Sequence, residues 1–216
     1  MRDPLPGWSA SAAGCGHRGP PTAILTGVAG DVDVRDLYDE ALAWVAGLMR
    51  TVPASLLSRS TPCPEFSVRA LMGHLVGTAE RGLATAQHRP ITSIPHVVTD
   101  IPDEAFATRY GELAAYLHAA WSEVGRRNEV RAPWGPTTAD AAVWGFATET
   151  LVHGWDLAVA TDQPSEARQG LVQPLLTRAT TTVPASNRKR SYAEMVTSTP
   201  DAGPTEQLAN WLGHRR

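Results

Sequence analysis

Three polar side chains interrupt an otherwise apolar stretch late in the chain. Glu149, His153 and Asp156 follow one another at intervals of four and three residues, which places them on one face of an α-helix. The apolar residues around them are Val143, Trp144, Phe146, Leu151, Val152, Leu157 and Val159. Such a helix is apolar nearly all round and is predicted to be buried. A buried carboxylate is costly unless its charge is compensated, so this face requires partners.

Two arrangements would compensate these groups. In a polar cluster, Glu149 bonds to an arginine or to His153, and Asp156 bonds to nearby backbone. Alternatively, a divalent metal balances the carboxylate and fills the lone pair of the imidazole. His74, beside an apolar face of another predicted helix, favours the metal, although a lone histidine there is more often structural. His74, Glu149 and His153 make a His-His-carboxylate set, and three protein ligands with one open position are typical of catalytic metals.

The remaining histidines and the cysteines offer weaker candidates. His118 is predicted to face solvent, and Cys63, between two prolines, is predicted to be a small buried turn residue because no base lies adjacent to it. The other histidines are weaker candidates because they lie in the N-terminal tail, in a loop or at the C-terminus: His17, His88, His96 and His214. The two cysteines, Cys15 and Cys63, cannot build a disulfide scaffold or a cysteine-based zinc site.

The elements that must position these residues are helices. Apolar residues recur at three- and four-residue spacing over most of the chain from Val34 onward. The predicted helices begin at Val34, after an N-cap at Ser67, near Pro102, at Thr138, near Glu166 and after an N-cap at Thr205. A break is predicted at Ala132–Pro136, and no convincing alternating strand is found. The pattern predicts an all-α fold, a four-helix bundle with short additional C-terminal helices.

Composition and charge narrow the class of protein. The chain has 216 residues, 43% of them hydrophobic and 19% charged, so it can bury a sizeable core. A net charge of −3 argues against nucleic acid as a partner. No apolar run approaches the roughly 20 residues of a membrane span, and residues 1–6 do not begin a secretory signal. We therefore expect a soluble cytoplasmic protein, with residues 1–30 as a disordered extension and residues 31–216 as one helical domain.

Two segments resemble a known family. Thr61–Arg69, with the sequence TPCPEFSVR, precedes His74–Gly77, with the sequence HLVG. Together they resemble the Thr-Pro-Cys-x-x-Trp-Thr-Val-x-x-Leu-x-x-His-Leu pattern of the mycothiol-dependent maleylpyruvate isomerase N-terminal domain family. Glu149–Leu157, with the sequence ETLVHGWDL, resembles its second signature, Glu-x-x-x-His-Gly-Trp-Asp-Leu. Residues 200–214 resemble the closing segment of the short actinobacterial members, so the similarity spans residues 34–214.

The resemblance implies a DinB-like four-helix metalloprotein. It implies a divalent metal, usually zinc, bound by His74, Glu149 and His153, the residues that the spacing had already singled out. It further implies an enzyme that uses a low-molecular-weight thiol, mycothiol, for S-transfer to a small electrophilic substrate or for its isomerisation. Asp156 would then orient a ligand histidine through the ring N–H, or simply make a hydrogen bond within the core.

The chain departs from the family pattern in three places. Phe66 replaces the usual tryptophan, and Ala70 stands where an acid often completes the capping box. The separate C-terminal domain of the isomerase, which contributes a catalytic arginine, has no counterpart, so isomerisation of maleylpyruvate itself is not expected. A metal-dependent hydrolase with bound water as nucleophile, and a non-catalytic metal-binding protein, are the alternatives. We expect small-molecule partners and a monomer or homodimer.

Overall fold

The computed structural model describes residues 32–183 and 193–216. Its helices are α1 (Val34–Arg50), α2 (Val68–Ala86), α3 (Phe106–Ser122), α4 (Ala139–Ala160), α5 (Gln169–Thr182) and α6 (Pro204–Trp211). Short 3₁₀ turns lie at Ala54–Leu56 and Asp103–Ala105, and two strands, β1 (Glu129–Ala132) and β2 (Gly135–Thr138), connect α3 to α4. The predicted disordered extension, with Cys15 and His17, lies outside the described residues.

Side-chain caps begin three of the bundle helices. The carboxylate of Asp33 accepts a hydrogen bond from the backbone N–H of Arg35 at the start of α1. Ser67 and Thr138 accept from the backbone N–H groups of Ala70 and Ala141. These oxygens satisfy donors that the first turn of a helix otherwise leaves without partners. The predicted cap at Ser67 and the predicted start of α4 at Thr138 are confirmed.

Helix α4 packs against α1 and α2, and also contacts strands β1 and β2 and the two C-terminal helices. Helix α3 packs against α1 and α2 as well. Large buried side chains fill the space between them, among them Tyr38, Leu71, Leu117, Phe146 and Trp155. The predicted all-α bundle is therefore confirmed. Within residues 32–183 and 193–216, no helix has both the length and the apolar character needed to cross a membrane.

A two-stranded hairpin corrects the prediction of a simple break at Ala132–Pro136. Strands β1 and β2 pair antiparallel, with Glu129 opposite Thr138 and Ala132 opposite Gly135. Four-residue strands are too short for the alternating pattern to stand out in the sequence. Gly135 has φ +125°, a conformation that glycine adopts readily. The adjacent Trp134 side chain packs on α4, where a Cβ at Gly145 would lie 2.6 Å from its ring.

The start of α6 also differs from the prediction. Gly203 is the N-cap and Pro204 is the first helical residue, so Thr205 is not the cap. Proline is common at the first helical position because a backbone N–H there has no partner within the helix, so nothing is lost by its absence. The carboxylate of Glu166 instead accepts hydrogen bonds from the backbone N–H groups of Thr205 (2.9 Å) and Glu206 (3.1 Å). The Thr205 hydroxyl accepts from the Ala167 N–H just before α5, at 3.0 Å, so the two C-terminal helices are tied together at this end.

Candidate metal centre

Helices α2 and α4 bring His74, Glu149 and His153 together in the interior. One ligand atom from each of the three residues lies within 4.8 Å of the other two. His74 Nε2 is 3.3 Å from Glu149 Oε1, and the two imidazole rings are nearly perpendicular, with centroids 4.8 Å apart. All three residues are buried. The sequence spacing placed Glu149 and His153 on one face, and the crossing of α2 adds His74 opposite them.

Two glycines on α2 allow a loop to reach His74. A Cβ at Gly73 would lie 2.3 Å from the carbonyl oxygen of Val98, and one at Gly77 would lie 2.9 Å from that of Pro95. The absence of these side chains therefore lets residues 95–98 pack directly on the helix backbone. This contact places the His96 carbonyl oxygen 3.1 Å from His74 Nδ1.

The carbonyl contact determines which nitrogen of His74 carries the proton. A carbonyl oxygen only accepts hydrogen bonds, so Nδ1 is the donor, and in the neutral tautomer Nε2, on the side of Glu149, carries the lone pair. Nε2 is buried, and no group in the described part of the chain makes a hydrogen bond to it. The Phe66 ring stacks on the same imidazole at a centroid distance of 4.8 Å. A held imidazole with a buried lone pair fits a metal ligand.

Neighbouring polar groups hold the Glu149 carboxylate. The Thr78 hydroxyl donates to Glu149 Oε1 at 3.3 Å, and Arg81 Nη2 donates to the same hydroxyl at 3.0 Å. A second nitrogen of Arg81 donates to the Pro95 carbonyl at 2.8 Å. Burial lowers the pKa of Arg81, whereas the nearby Glu149 and Glu80 carboxylates raise it. The Thr78 hydroxyl therefore bridges the Arg81 guanidinium and the Glu149 carboxylate.

Asp156 lies beneath His153 and contacts two imidazoles. His153 Nδ1 is 2.9 Å from Asp156 Oδ2, and His214 Nδ1 is 3.0 and 2.9 Å from the two carboxylate oxygens. Burial opposes ionisation of Asp156, but the two imidazoles outweigh it and lower its pKa to about 2. Burial lowers the pKa of His153 to about 4 against the pull of Asp156. His153 is thus a neutral imidazole that donates through Nδ1, so its Nε2 is the nitrogen available to a metal ion.

The structure corrects the expectation for His214 and extends that for His96. His214, rated a weaker candidate because it lies at the C-terminus, is only 3% exposed, and its Nδ1 lies 2.9 Å from Asp156 Oδ2. His96 is in a loop as predicted, but its ring centroid lies 4.5 Å from that of His74. The signal for His214 was the glycine before it, since Gly213 ends α6 with a turn that directs the next residue back onto the bundle. The solvent exposure of His118 and the burial of Cys63 are as predicted.

The set of donors is suited to one divalent ion. Zinc binds imidazole nitrogens and carboxylate oxygens at about 2.0–2.2 Å, and tetrahedral ligand atoms are then about 3.3–3.6 Å apart. The observed separation between His74 and Glu149 falls in that range. Within the described residues this group consists of three possible ligands, the number that catalytic zinc sites use. The fold and the site together are those of a helical bundle with a candidate metal centre of two histidines and one glutamate in its interior.

Comparison with known sequences identifies the family. Residues 38–158 match the family described as the mycothiol maleylpyruvate isomerase N-terminal domain. The chain belongs to this family, as the resemblance of its two motifs predicted. The match includes all three residues of the candidate metal centre and ends before α5 and α6.

Similar proteins have been found in Mycobacterium tuberculosis and among solved structures. An uncharacterized protein from two strains of that organism is 28% identical over 174 residues, which cover 78% of this chain and 90% of the relative. The crystal structure of the mycothiol-dependent maleylpyruvate isomerase matches with a TM-score of 0.55 and 16% identity, over 68% of each chain. A histidine-to-alanine mutant of that enzyme matches at 0.54 and 15%. At such identities the likeness shows the fold alone, an all-α helical bundle.

Proposed function

We propose that this protein is a metal-dependent enzyme that uses mycothiol for S-transfer to, or isomerisation of, a small electrophilic substrate. The observation that carries the proposal is the buried group of His74, Glu149 and His153, with the Nε2 atom of His74 held toward Glu149. Membership of the family and the likeness to a mycothiol-dependent isomerase support the thiol. The donor set supports zinc, because imidazole nitrogens and a carboxylate suit it.

The residues of this chain hold the ligands in place before any substrate binds. The His96 carbonyl orients His74 and the Asp156 carboxylate orients His153. Thr78 holds the Glu149 carboxylate, whose negative charge would partly balance a divalent cation. When bound, the metal would lower the pKa of a coordinated thiol, so that the thiolate predominates at neutral pH.

The chemistry requires little beyond this positioning. A thiolate adds to an electrophilic carbon once the two are held close together, and this positioning can lower the barrier substantially. The guanidinium of Arg81 lies one hydroxyl away from Glu149, so its positive charge favours an anionic nucleophile in the site.

Metal analysis combined with a mycothiol titration tests the proposal. Wild type should contain about one equivalent of metal and bind mycothiol only when metallated. His74→Ala and Glu149→Gln should lose metal and thiol binding together, whereas His118→Ala and Glu123→Gln, at exposed positions, should retain both. Full metal occupancy in both site variants would remove the ligand assignment.

Activity separates the proposal from its alternatives. Metallated protein should consume an electrophilic substrate, such as a maleimide-like or chlorinated aromatic probe, only when mycothiol is present. Turnover of an ester or amide without thiol would indicate a metal-dependent hydrolase. A metallated protein that neither binds mycothiol nor turns over any probe would contradict the proposed enzyme and favour a purely structural metal.

A further inference from the structure

We infer that His214 is a positioning residue for the metal centre, acting on His153 through Asp156. The inference rests on the proposed metal site and adds the segment after α6, which lies beyond the part of the chain that matches the family. Three features carry it: the backbone turn that delivers His214, the hydrogen bonds on Asp156, and the ring contact with His153.

The backbone at the end of α6 delivers the imidazole. The N–H of Gly213 donates to the Asn210 carbonyl at 3.1 Å, and the N–H of His214 donates to the Ala209 carbonyl at 3.0 Å. This pair of bonds, with Gly213 at φ +99°, is a Schellman motif. A side chain at position 213 would be strained in that conformation, and its Cβ would lie 2.5 Å from Ala193 Cβ.

Asp156 transmits the position of His214 to His153. Both Nδ1 atoms lie 2.9 Å from Asp156 Oδ2, so the carboxylate is held from two sides. Asp156 is fully buried, and a buried carboxylate that loses a donor pays the cost of desolvation without compensation. Without His214, the carboxylate would be expected to turn or draw in water and no longer hold the His153 ring in one orientation.

The two imidazoles also touch directly. Their ring centroids are 5.4 Å apart and the rings meet edge to face at 69°. His153 and His214 are both buried, so truncation of His214 would leave a cavity against the ligand ring. The hydrogen bonds and the packing therefore act in the same direction.

Helix α6 and the residue after it are packed onto the rest of the protein, so the segment that carries His214 is held in place. Leu208 and Leu212 are buried, and Trp211 Nε1 donates to the Ala179 carbonyl of α5 at 3.3 Å. Linkage is reciprocal, so docking of this segment should strengthen metal binding and metal binding should strengthen docking. Groups that orient metal-ligating histidines typically change metal affinity by 10- to 100-fold.

The test measures the zinc Kd of the full chain by competition with a chromophoric chelator, a readout independent of activity. We expect His214→Ala to raise the Kd by about 10- to 100-fold. His214→Asn, which presents an amide N–H at about the position of Nδ1, should recover most of the affinity. His214→Gln, whose N–H lies one carbon farther out, should not. His118→Ala, which removes an exposed imidazole that also contacts an aspartate, should have no effect.

A double-mutant cycle tests whether His214 acts through Asp156. If it does, His214→Ala should have much less effect on the zinc Kd in an Asp156→Asn background than in wild type. Fully additive effects, or a His214→Ala Kd within twofold of wild type, would overturn the inference. If His214→Ala does not fold, equal affinities for His214→Asn and His214→Gln would overturn it instead. A wild-type protein that binds no zinc would refute the metal site itself, which is a separate result.

Discussion

Each imidazole of the candidate centre is held at its Nδ1 atom by an oxygen acceptor, one from a loop packed on α2 and one from the next turn of α4. His74 donates to the His96 carbonyl and His153 donates to the Asp156 carboxylate. Both bonds select the tautomer in which Nε2 carries the lone pair. A neutral carbonyl oxygen therefore orients the His74 ring, and a charged carboxylate orients the His153 ring.

At the surface, a different histidine provides a pH-dependent prediction. The hydrogen bond to Asp39 raises the pKa of His118, and the charge of Asp39 adds to the effect. Because the pKa is raised on folding, the pair stabilises the folded state fully below the unfolded pKa of about 6.5. This stabilisation is lost as the pH rises through the folded pKa.

Urea unfolding of wild type and His118→Ala measures the effect. The difference in unfolding free energy should be small and largest near pH 5.5, and should shrink toward pH 9. NMR titration of the ring should give a pKa above that of an unfolded histidine. A pKa at or below that value would contradict the prediction, and His88→Ala serves as the control because His88 is exposed.

At the scale of elements, the packing of α2 against the loop at residues 95–98 determines the orientation of His74. The Gly73 carbonyl accepts a hydrogen bond from the Val98 N–H at 3.1 Å, next to the contact between His96 and His74. Residues 95–98 therefore run along α2 and cover the candidate site. Any side chain at Gly73 would push these residues outward.

Gly73→Ala should accordingly destabilise the fold and weaken metal binding. A Cβ there would lie 2.3 Å from a backbone oxygen, which cannot move without shifting the loop, so we expect a loss of about 1–3 kcal/mol. Gly111→Ala on α3 is the matched control, since its Cβ would meet nothing within 4 Å. It should stabilise the protein by about 0.4–1 kcal/mol.

Chemical denaturation and zinc titration of both variants check this prediction. A Gly73→Ala protein as stable as wild type would show that the loop is not packed against α2 as described. A destabilised variant with an unchanged zinc Kd would separate the loop packing from the orientation of His74.

At the scale of the whole molecule, the candidate ligands connect two helices that are distant in sequence. His74 lies on α2 and Glu149 and His153 lie on α4, so a bound ion would cross-link the bundle. The ligand side chains are buried, and the folded arrangement of the three cannot persist in the unfolded chain. Metal binding should therefore contribute directly to stability.

Thermal unfolding with and without zinc measures that contribution. An ion at 100 times its Kd should stabilise the fold by about 2.7 kcal/mol, and a chelator should reverse the gain. In Glu149→Gln the metal-dependent increase in Tm should largely disappear, whereas Glu123→Gln should behave like wild type. A Tm that does not respond to zinc in wild type would contradict the site.

The spacing of residues in the sequence predicts most of the helices. It also predicts that two of the three candidate ligands, Glu149 and His153, share one helix face. Intervals of four and three residues place Glu149, His153 and Asp156 on one face of any α-helix, and Ser67 and Thr138 cap their helices through bonds within a single turn. These features depend on neighbours in sequence, so they can be read without a structure.

Only the tertiary structure shows which residues contact the face of α4 that carries Glu149, His153 and Asp156. The His96 carbonyl on His74 and the return of His214 to Asp156 join residues 22 and 58 positions apart in the chain. Such contacts depend on how helices cross and on where missing side chains at Gly73 and Gly77 let backbone approach. Periodicity specifies which way a side chain points from its own helix, but packing between elements specifies what it touches.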